Sequence, residues 1–400
     1  MISKYPPIEG GMSSKAYWLA KALGERGHEV HIVTNSLEVE NEYREELDPN
    51  DPNFRPKNVY VHSTDPSPTI EANPSHIPFS KMYCEKLASK AVEVIEEYNL
   101  ELIDSRYLVP YSVAGYLAKS FTGVPQIISH AGSDLQRLYP SPYLKKLLEK
   151  ILKSADRIIA NPESARFFNS LGIPVSKISL MPQIYVDTNA FNPDVSQFDF
   201  NDYIDGQRYS PGAPIIAYIG KITNHFETKG LPELLRACSK INEELLLLFV
   251  ANGQKIEDFK ELVKKENLAQ KTLFLPFLPP WKIPSIMKSC TSIVALENSS
   301  SPVLSYHVPA VPAEAMVTGR CVLMSKELHE KEPFAKLKNS KEVLVVDGKD
   351  VCAIKEILHH MIRNPNVADA IGDNARQAFI QQQDGEYVNE IVRIYKSVLK

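Results

Sequence analysis

The sequence predicts an α/β protein with two doubly wound, Rossmann-like units that face each other across a cleft. Short apolar runs alternate with segments of helical periodicity along most of the chain. The alternation stops in a polar stretch with three prolines at residues 191–214, and then restarts. The length of 400 residues also suits two cores of about 150–200 residues better than one. We therefore expect one unit in residues 1–192 and a second in residues 193–385.

The amino-terminal half has the pattern of a parallel sheet with helical crossovers. Its first helix has a buried stripe at i, i+3, i+4 and i+7 spacing, formed by Ala16, Leu19, Ala20 and Leu23. Gly27 ends this helix just before the next strand, and a strand–helix–strand order of this length requires a right-handed crossover. The polar residues 38–57 contain three prolines and are predicted to form a loop. Strands are expected at residues 29–34, 59–62, 102–104, 126–130 and 157–160.

The carboxy-terminal half repeats the alternation without a detectable repeat of sequence. Helices are expected at residues 231–241 and 256–266, and residues 386–399 form an amphipathic helix that needs an apolar partner. Strands are expected at residues 215–220, 245–251, 273–275, 292–296, 321–324 and 343–346. Because ligands of such sheets bind beyond the carboxyl ends of the strands, the cleft between the units is the expected site.

Composition and charge exclude several classes of protein. A net charge of −4 and a pI near 6.2 disfavour a nucleic-acid-binding protein. The longest apolar run has seven residues, whereas a membrane span needs about 20. The five cysteines are dispersed without CxxC pairs, which favours a reducing compartment and no zinc site. With no secretion leader at its start, the chain is expected to be a soluble cytoplasmic protein.

Two adjacent glycines offer an anion-binding turn before the first helix. Gly10 and Gly11 end the sequence PPIEGG, and the helix begins near Met12. Glycine lets backbone N–H groups approach an anion, and a helix N-terminus adds partial positive charge. The turn could bind a diphosphate, or it could be a plain strand-to-helix connection. The G-x-G-x-x-G fingerprint is absent and Asn35 follows the next strand, which disfavours a nicotinamide or flavin dehydrogenase.

Three further residues in the second half could bind a nucleotide. Lys221 ends the first strand of this unit, and Lys229 precedes the next helix, so their ammonium groups could neutralise two phosphates and stabilise a leaving nucleotide. Solvated surface lysines are the alternative interpretation. Glu314 lies in the first turn of an apolar helix, where it could accept two ribose hydroxyls or simply interact with the helix dipole. No Asp-x-Asp metal motif is evident.

Two features remain open between a functional and a structural role. His130 ends an apolar strand and precedes a glycine turn, a position at which α/β sheets present functional side chains. A hydrogen-bonded structural histidine is the alternative. The segment from Tyr143 to Arg157 predicts an amphipathic helix with an apolar stripe and four lysines outside it. Such a helix could contact anionic lipid, or it could pack on the core with a solvated lysine face. Its stripe comprises Leu144, Leu147, Leu148, Ile151 and Ala155.

Taken in order, these segments resemble a retaining glycosyltransferase of family 4 (glycosyl transferases group 1), with the GT-B fold. The matching stretches span nearly the whole chain and include PPIEGG, ISHAGSDL, YIGKIT…TKGLPELLRA and VPAEAMVTG. The resemblance implies transfer of a sugar from a nucleoside-diphosphate-sugar donor to a hydroxyl acceptor with retention of anomeric configuration. It implies a glycan, lipid or small-molecule acceptor and no further cofactor or metal. It also implies that residues 386–400 pack back on the first unit.

The resemblance assigns a role to each candidate residue. The glycine pair would face the donor diphosphate, with Lys221, which stands where the family usually has Arg, and Lys229 as phosphate contacts. Glu314 would match the second Glu of the family's Glu-x7-Glu pattern and hold the ribose. His130 would lie beside the transferred sugar, near the anomeric centre. His130, Lys221 and Lys229 are thus the expected catalytic residues.

The sequence departs from the family pattern in four places, one of which is the stretch at residues 297–302. Tyr306, followed by His307, replaces the first Glu of the pattern, which leaves the sugar and donor use open. Gln183 begins a replacement of the Asn-Gly that the family has before its Val-Asp. Only four residues precede Tyr5, whereas a strand usually has about 5–6, so the true start is expected upstream. Two alternatives follow: a nucleotide-sugar epimerase or hydrolase on the same scaffold, or a degenerate, non-catalytic binding subunit.

Overall fold

The computed structural model describes residues 1–66, 82–182, 184–204, 210, 212–224, 226–297, 308–382 and 386–399. Within these ranges the chain is mixed α/β, and its named strands pair in parallel. Strands up to Leu180 and strands from Ile215 onward form separate sheets. The predicted fold class, two Rossmann-like units with parallel sheets, is confirmed.

The amino-terminal sheet is joined through the first residues of the chain. Ile2 forms parallel bridges to both Val33 and Ser105, which lie on strands that otherwise do not meet. The first strand is thereby reduced to the residues around Ile2, as the short segment before Tyr5 predicts. The strands pair β1 with β2, and β3 to β6 in order. They are β1 (Val30–Thr34), β2 (Val59–Ser63), β3 (Ile103–Arg106), β4 (Gln126–Ser129), β5 (Arg157–Ala160) and β6 (Ile178–Leu180).

The helices of this half follow the predicted pattern. The stripe predicted for the first helix is buried throughout. Residues 38–57 hold no strand, only short 3-10 turns. Strand β6 was missed because it has three residues and Leu180 is exposed, so no apolar run marks it. The helices are α1 (Gly11–Glu25), α2 (Tyr83–Tyr98), α3 (Val113–Thr122), α4 (Ser133–Arg137), α5 (Lys145–Ser154) and α6 (Pro162–Ser170).

The carboxy-terminal sheet has six described strands in the order β12-β11-β10-β7-β8-β9. They are β7 (Ile215–Ile219), β8 (Leu246–Val250), β9 (Thr272–Leu275), β10 (Ser292–Ala295), β11 (Cys321–Ser325) and β12 (Leu344–Val346). The helix predicted at residues 231–241 ends earlier, at Cys238. The helices are α7 (Leu231–Cys238), α8 (Ile256–Lys265), α9 (Ile283–Ser289), α10 (Val311–Val317), α11 (Lys326–His329), α12 (Val351–Arg363), α13 (Pro365–Gln382) and α14 (Tyr387–Lys396).

Aromatic side chains of α1 pack the two halves together. The ring of Tyr17 lies 5.0 Å from that of Trp281 in the second half, and next to it the ring of Trp18 meets Phe191, at the end of the first half, edge to face at 5.5 Å. The indole N–H of Trp281 donates to Asp51 Oδ2 at 2.8 Å. Because Trp281 belongs to the second half and Asp51 to the loop of the first, these contacts fix α1 between the halves.

The last helix, α14, contacts the first sheet. The hydroxyl of Tyr395 donates to the carboxylate of Asp104, which is buried and also accepts two hydrogen bonds from Arg106. The apolar side of α14 is buried through Val388, Ile391 and Ile394. Among the described residues, no helix combines the length and apolar character that crossing a membrane requires.

Candidate active site between the two halves

The N-terminus of α1 is open to an anion. Gly10 precedes the helix with a φ of +132°, a conformation that strongly favours glycine. Within the described ranges, no side chain caps this helix and its first turn carries no acidic residue. The first N–H groups of the helix therefore keep their capacity to donate, and the helix dipole favours a negative charge beside them.

Lys221 reaches this turn from the other half of the protein. It follows the end of β7, and its Nζ lies 2.6 Å from Glu9 Oε2. A Cβ placed on Gly10 would lie 3.2 Å from the same ammonium nitrogen. The structure thus brings together Gly10 and Lys221, two predicted site residues that stand more than 200 positions apart in the sequence.

The Lys221 ammonium is partly withdrawn from water. Its side chain is 35% exposed, and its Nζ lies 5.7 Å from the centre of the Tyr43 ring. Burial, together with the nearby positive charge of Lys4, lowers the pKa of Lys221 to about 8. A diphosphate in place of the Glu9 carboxylate would bring a larger negative charge to this ammonium and favour its charged form.

Lys229 lies at the carboxyl edge of the same sheet. It ends a 3-10 turn, and its ammonium contacts the carboxylate of Glu297, which follows β10. Gly230 comes next with a φ of +66°, and a Cβ there would lie 2.5 Å from the Leu296 carbonyl oxygen. Glycine is therefore required for this close approach. Lys221 follows the end of β7, and Lys229 contacts a residue that follows β10. Because β7 and β10 pair directly, the two lysines lie at neighbouring strand ends.

Glu314 is a buried carboxyl in the short helix α10. It is only 7% exposed, and burial raises its pKa to about 7. A carboxyl with this pKa is partly protonated near neutral pH, because desolvation penalises its charged form. Hydroxyl groups that donated to it would favour the charged form and lower the pKa again.

His130 is a neutral, hydrogen-bonded ring. Its Nδ1 accepts from the backbone N–H of Gly132 at 3.1 Å, so Nε2 carries the proton and donates to Ser164 Oγ at 2.8 Å. Ser164 Oγ in turn donates to the Asn161 carbonyl. Burial lowers the pKa of His130 to about 3, and the charge of Lys15 adds to that shift. The ring therefore neither gains nor loses a proton near neutral pH.

The sequence did not reveal the carboxylate partners of the two lysines. Glu9 directly precedes the glycine pair, so the sequence places it at the turn. Its ion pair with Lys221 of the other half could not be predicted from the sequence. Tyr306, His307 and Gln183, where the family pattern is broken, lie outside the described residues. In the ranges that the structure does describe, no three His, Cys, Asp or Glu side chains are grouped to hold a metal ion.

Comparison with known proteins identifies the family of this chain. Residues 9–183 match the family model described as Glycosyltransferase Family 4, and residues 201–378 match that described as Glycosyl transferases group 1. The chain is a GT-B glycosyltransferase of the family 4 type. The matched ranges contain the glycine turn in the first model, and Lys221, Lys229 and Glu314 in the second.

Curated relatives of this glycosyltransferase are diverged. It is 26% identical over 279 residues to an N-acetyl-alpha-D-glucosaminyl L-malate synthase of Bacillus anthracis, a match that covers 68% of this chain and 66% of that protein. It is 22% identical over 383 residues to a GDP-mannose-dependent alpha-(1-6)-phosphatidylinositol monomannoside mannosyltransferase of Mycolicibacterium smegmatis. That match covers 93% of this chain and 91% of the relative.

A solved structure shows the same fold over the whole enzyme. HepE of Anabaena, in complex with UDP-glucose, superposes with a TM-score of 0.67 at 15% sequence identity. The match covers 100% of this chain and 99% of that one.

Proposed function

We propose that this glycosyltransferase transfers a sugar from a nucleoside-diphosphate-sugar donor to a hydroxyl acceptor, with retention of anomeric configuration. The observation that carries the proposal is the approach of the Lys221 ammonium to the Gly10 turn. It supports a diphosphate site that is built from both halves, with an ammonium on one side and helix N–H groups on the other.

The donor is held at three points in this proposal. The diphosphate lies between the N-terminus of α1 and the ammonium groups of Lys221 and Lys229, displacing their present carboxylate partners. The ribose hydroxyls donate to the Glu314 carboxylate, and this contact would lower the raised pKa of Glu314. The glycine at position 10 keeps the turn close enough for its backbone to reach the phosphates.

Retention follows from attack on the face from which the diphosphate departs. In this mechanism the acceptor hydroxyl gives its proton to the leaving phosphate oxygen while its own oxygen bonds to the anomeric carbon. The two lysines stabilise the negative charge that grows on the leaving diphosphate. His130 contributes as a neutral ring beside the sugar, because a group with a pKa of about 3 cannot act as a general base near neutral pH.

Nucleotide-dependent stabilisation tests this proposal. UDP and GDP are each added to the wild type, and the one that belongs to the donor should raise the midpoint of thermal unfolding. Lys229→Ala should lose most of that shift. Lys264→Ala removes an exposed lysine of α8 and serves as the matched control. If neither nucleotide shifts the wild type, or Lys229→Ala responds like the wild type, the donor site is wrongly assigned. Mass spectrometry with and without acceptors then separates transfer from epimerisation, hydrolysis or binding alone.

We also infer peripheral contact of α5 with anionic lipid at the cytoplasmic membrane face. Leu148, Ile151 and Leu152 are buried, but Leu147, predicted to lie in the same stripe, is 41% exposed. The buried face of α5 is formed by Leu148 and by the residues three and four positions later, Ile151 and Leu152, so the Leu147 side chain lies outside that face. Tyr143 beside it is 91% exposed. Exposed lysines of the same helix accompany these two apolar side chains.

Vesicle binding tests this contact. The wild type should co-sediment with phosphatidylcholine vesicles only when phosphatidylglycerol is added, and Lys146→Glu should reduce the bound fraction. Lys264→Glu, on α8, is the matched control. Equal binding to both kinds of vesicle would contradict the proposal. All five cysteines are unbridged, which supports a cytoplasmic location.

A further inference from the structure

A lysine that the donor site does not use lies at the carboxyl edge of the amino-terminal sheet. Ile2 is bridged to Ser105, and Arg106 on the same strand pairs with Ser129 of β4. Continuing this register by one or two positions places Lys4, Tyr107 and His130 side by side. They follow the ends of three neighbouring strands, the position at which such sheets present ligand-binding groups.

The contacts of Lys4 agree with this register. Its Nζ lies 5.6 Å from the centre of the Tyr107 ring, and its side chain is only partly exposed. Tyr107 itself has a φ of +84°, an uncommon conformation for a residue other than glycine. In the part of the chain that the structure describes, no carboxylate forms an ion pair with Lys4. Burial accordingly lowers the pKa of this lysine.

Other charged side chains also lie near this edge of the sheet. Burial lowers the pKa of His130, and the charge of Lys15 acts in the same direction. Burial raises the pKa of Tyr107, and the charge of Arg137 opposes that rise. The nearby acid, Asp134, is buried, and its two oxygens already accept the backbone N–H groups of Leu108, Ala131 and Leu135. Burial raises the pKa of Asp134 to about 6, so this carboxyl is less readily charged than an exposed one. None of the carboxylates in the described ranges is paired with Lys4 itself.

We propose that Lys4 binds a carboxylate or phosphate group of the acceptor, and that the acceptor of this enzyme is therefore an acid. The inference rests on the proposed function, since the acceptor must lie beside a donor whose diphosphate is held by Lys221 and Lys229. Lys4 is an ammonium of the amino-terminal half that lies close enough to Lys221 to affect its pKa, so a group bound by Lys4 would lie beside that donor. Its register position beside His130 places the acid group next to the reacting sugar, where it orients the acceptor hydroxyl.

Paired acceptors test the proposal. L-malate and its diamide differ in the carboxylates, and glycerol 3-phosphate and glycerol differ in the phosphate. Each compound is titrated calorimetrically into enzyme that is saturated with UDP or GDP, whichever of the two stabilises the enzyme. In a separate assay, each compound is tested as an acceptor with UDP-glucose, UDP-N-acetylglucosamine and GDP-mannose as donors. At least one acid should bind about 10-fold or more tightly than its neutral partner, as a charge-assisted hydrogen bond implies. The pair that shows the difference distinguishes carboxylate from phosphate.

Variants locate the effect at Lys4. Lys4→Met should weaken binding of the preferred acid about 10-fold while changing nucleotide affinity less than about 2-fold. Lys4→Arg keeps the charge and should retain acid binding, and Lys264→Met is the matched control at an exposed site. The proposal is overturned if acids bind the wild type no better than their neutral partners. It is also overturned if Lys4→Met weakens the nucleotide as much as the acid, since the lysine then serves the donor.

The two failures are separable. Loss of nucleotide stabilisation in the wild type rejects the proposed function. Normal nucleotide binding that depends on Lys229, together with no preference for acids, rejects only the role of Lys4. If Lys4→Met fails to fold, the wild-type acid preference and the Lys4→Arg variant still decide the outcome.

Discussion

The Nζ of Lys221 lies 2.6 Å from Glu9 Oε2, so the two halves of the protein are joined by an ion pair at the proposed diphosphate site. A diphosphate that binds here must take the place of the Glu9 carboxylate. Glu9→Gln should therefore raise the affinity for UDP or GDP by about 3–5-fold, the size expected for a partly exposed pair. Calorimetric titration checks this, and weaker binding in Glu9→Gln would show that Glu9 assists the nucleotide.

Gly10 is required for two reasons, its backbone conformation and its closeness to Lys221. Gly10→Ala would strain a φ of +132° and place a methyl group 3.2 Å from the ammonium. We expect a loss of about 1–3 kcal/mol in stability and about a 10-fold rise in the donor KM. Gly11→Ala is the matched comparison, because a Cβ there meets nothing within 4 Å. Equal effects from the two substitutions would count against the assigned turn.

Donor affinity should depend on pH with two opposite limbs. The Glu314 carboxyl must be charged to accept ribose hydroxyls, and its pKa is about 7, so affinity should rise as pH increases through that value. The Lys221 ammonium must also be charged, and its pKa is about 8, so affinity should fall as pH increases further. UDP-glucose is the probe, because its diphosphate does not titrate in this range.

Two substitutions assign these limbs. Glu314→Gln should abolish the rise near pH 7, and Lys221→Arg should move the fall to higher pH, since Arg stays charged. A wild-type affinity that is flat between about pH 6 and 9 would contradict both assignments.

His130 should affect rate without affecting the pH profile. Its pKa of about 3 keeps the ring neutral throughout the working range. His130→Gln would remove the bonds to Gly132 and Ser164 and should lower kcat about 10-fold by loss of positioning. The two pH limbs of donor affinity should stay where they are. Disappearance of a limb near pH 6–7 in this variant would mean that the ring titrates during catalysis.

The bond from Tyr395 to Asp104 should stabilise the docked last helix. Tyr395→Phe leaves a buried carboxylate with one donor fewer, and should reduce the free energy of unfolding by about 1–3 kcal/mol. Nucleotide affinity should be unchanged, because neither residue is bonded to Lys221 or Lys229 in the described structure. Tyr143→Phe removes a hydroxyl from a side chain that is 91% exposed and is the control. Urea denaturation measures both, and equal stability of the two variants would contradict the docking.

Much of the fold was readable because periodicity is a local property. The stripe of α1 and the apolar run that became β8 each specify an element within ten residues or fewer. Strand β6 was not readable, since three residues with an exposed Leu180 carry no period. Leu147 was placed on the wrong face because an apolar residue at helical spacing need not be buried.

The site was only partly predictable, for a different reason. Gly10, Lys221 and Glu314 could be singled out because chain position marks strand ends and helix starts. The pairing of Lys221 with Glu9 depends on how two halves approach each other, which no local pattern encodes. The position of Lys4 beside Tyr107 likewise follows from sheet register, which was fixed only once Ile2 was seen bridging two strands.

The contribution of the diphosphate itself tests the central claim most directly. Calorimetry compares UDP with uridine, and GDP with guanosine, in the wild type, in Lys221→Met and in Lys229→Ala. Two charge-assisted contacts predict that the preferred diphosphate binds the wild type about 100-fold more tightly than its nucleoside, and that this ratio falls about 10-fold in each variant. A wild-type ratio near one, or a ratio that neither substitution changes, would show that no diphosphate is bound between these residues.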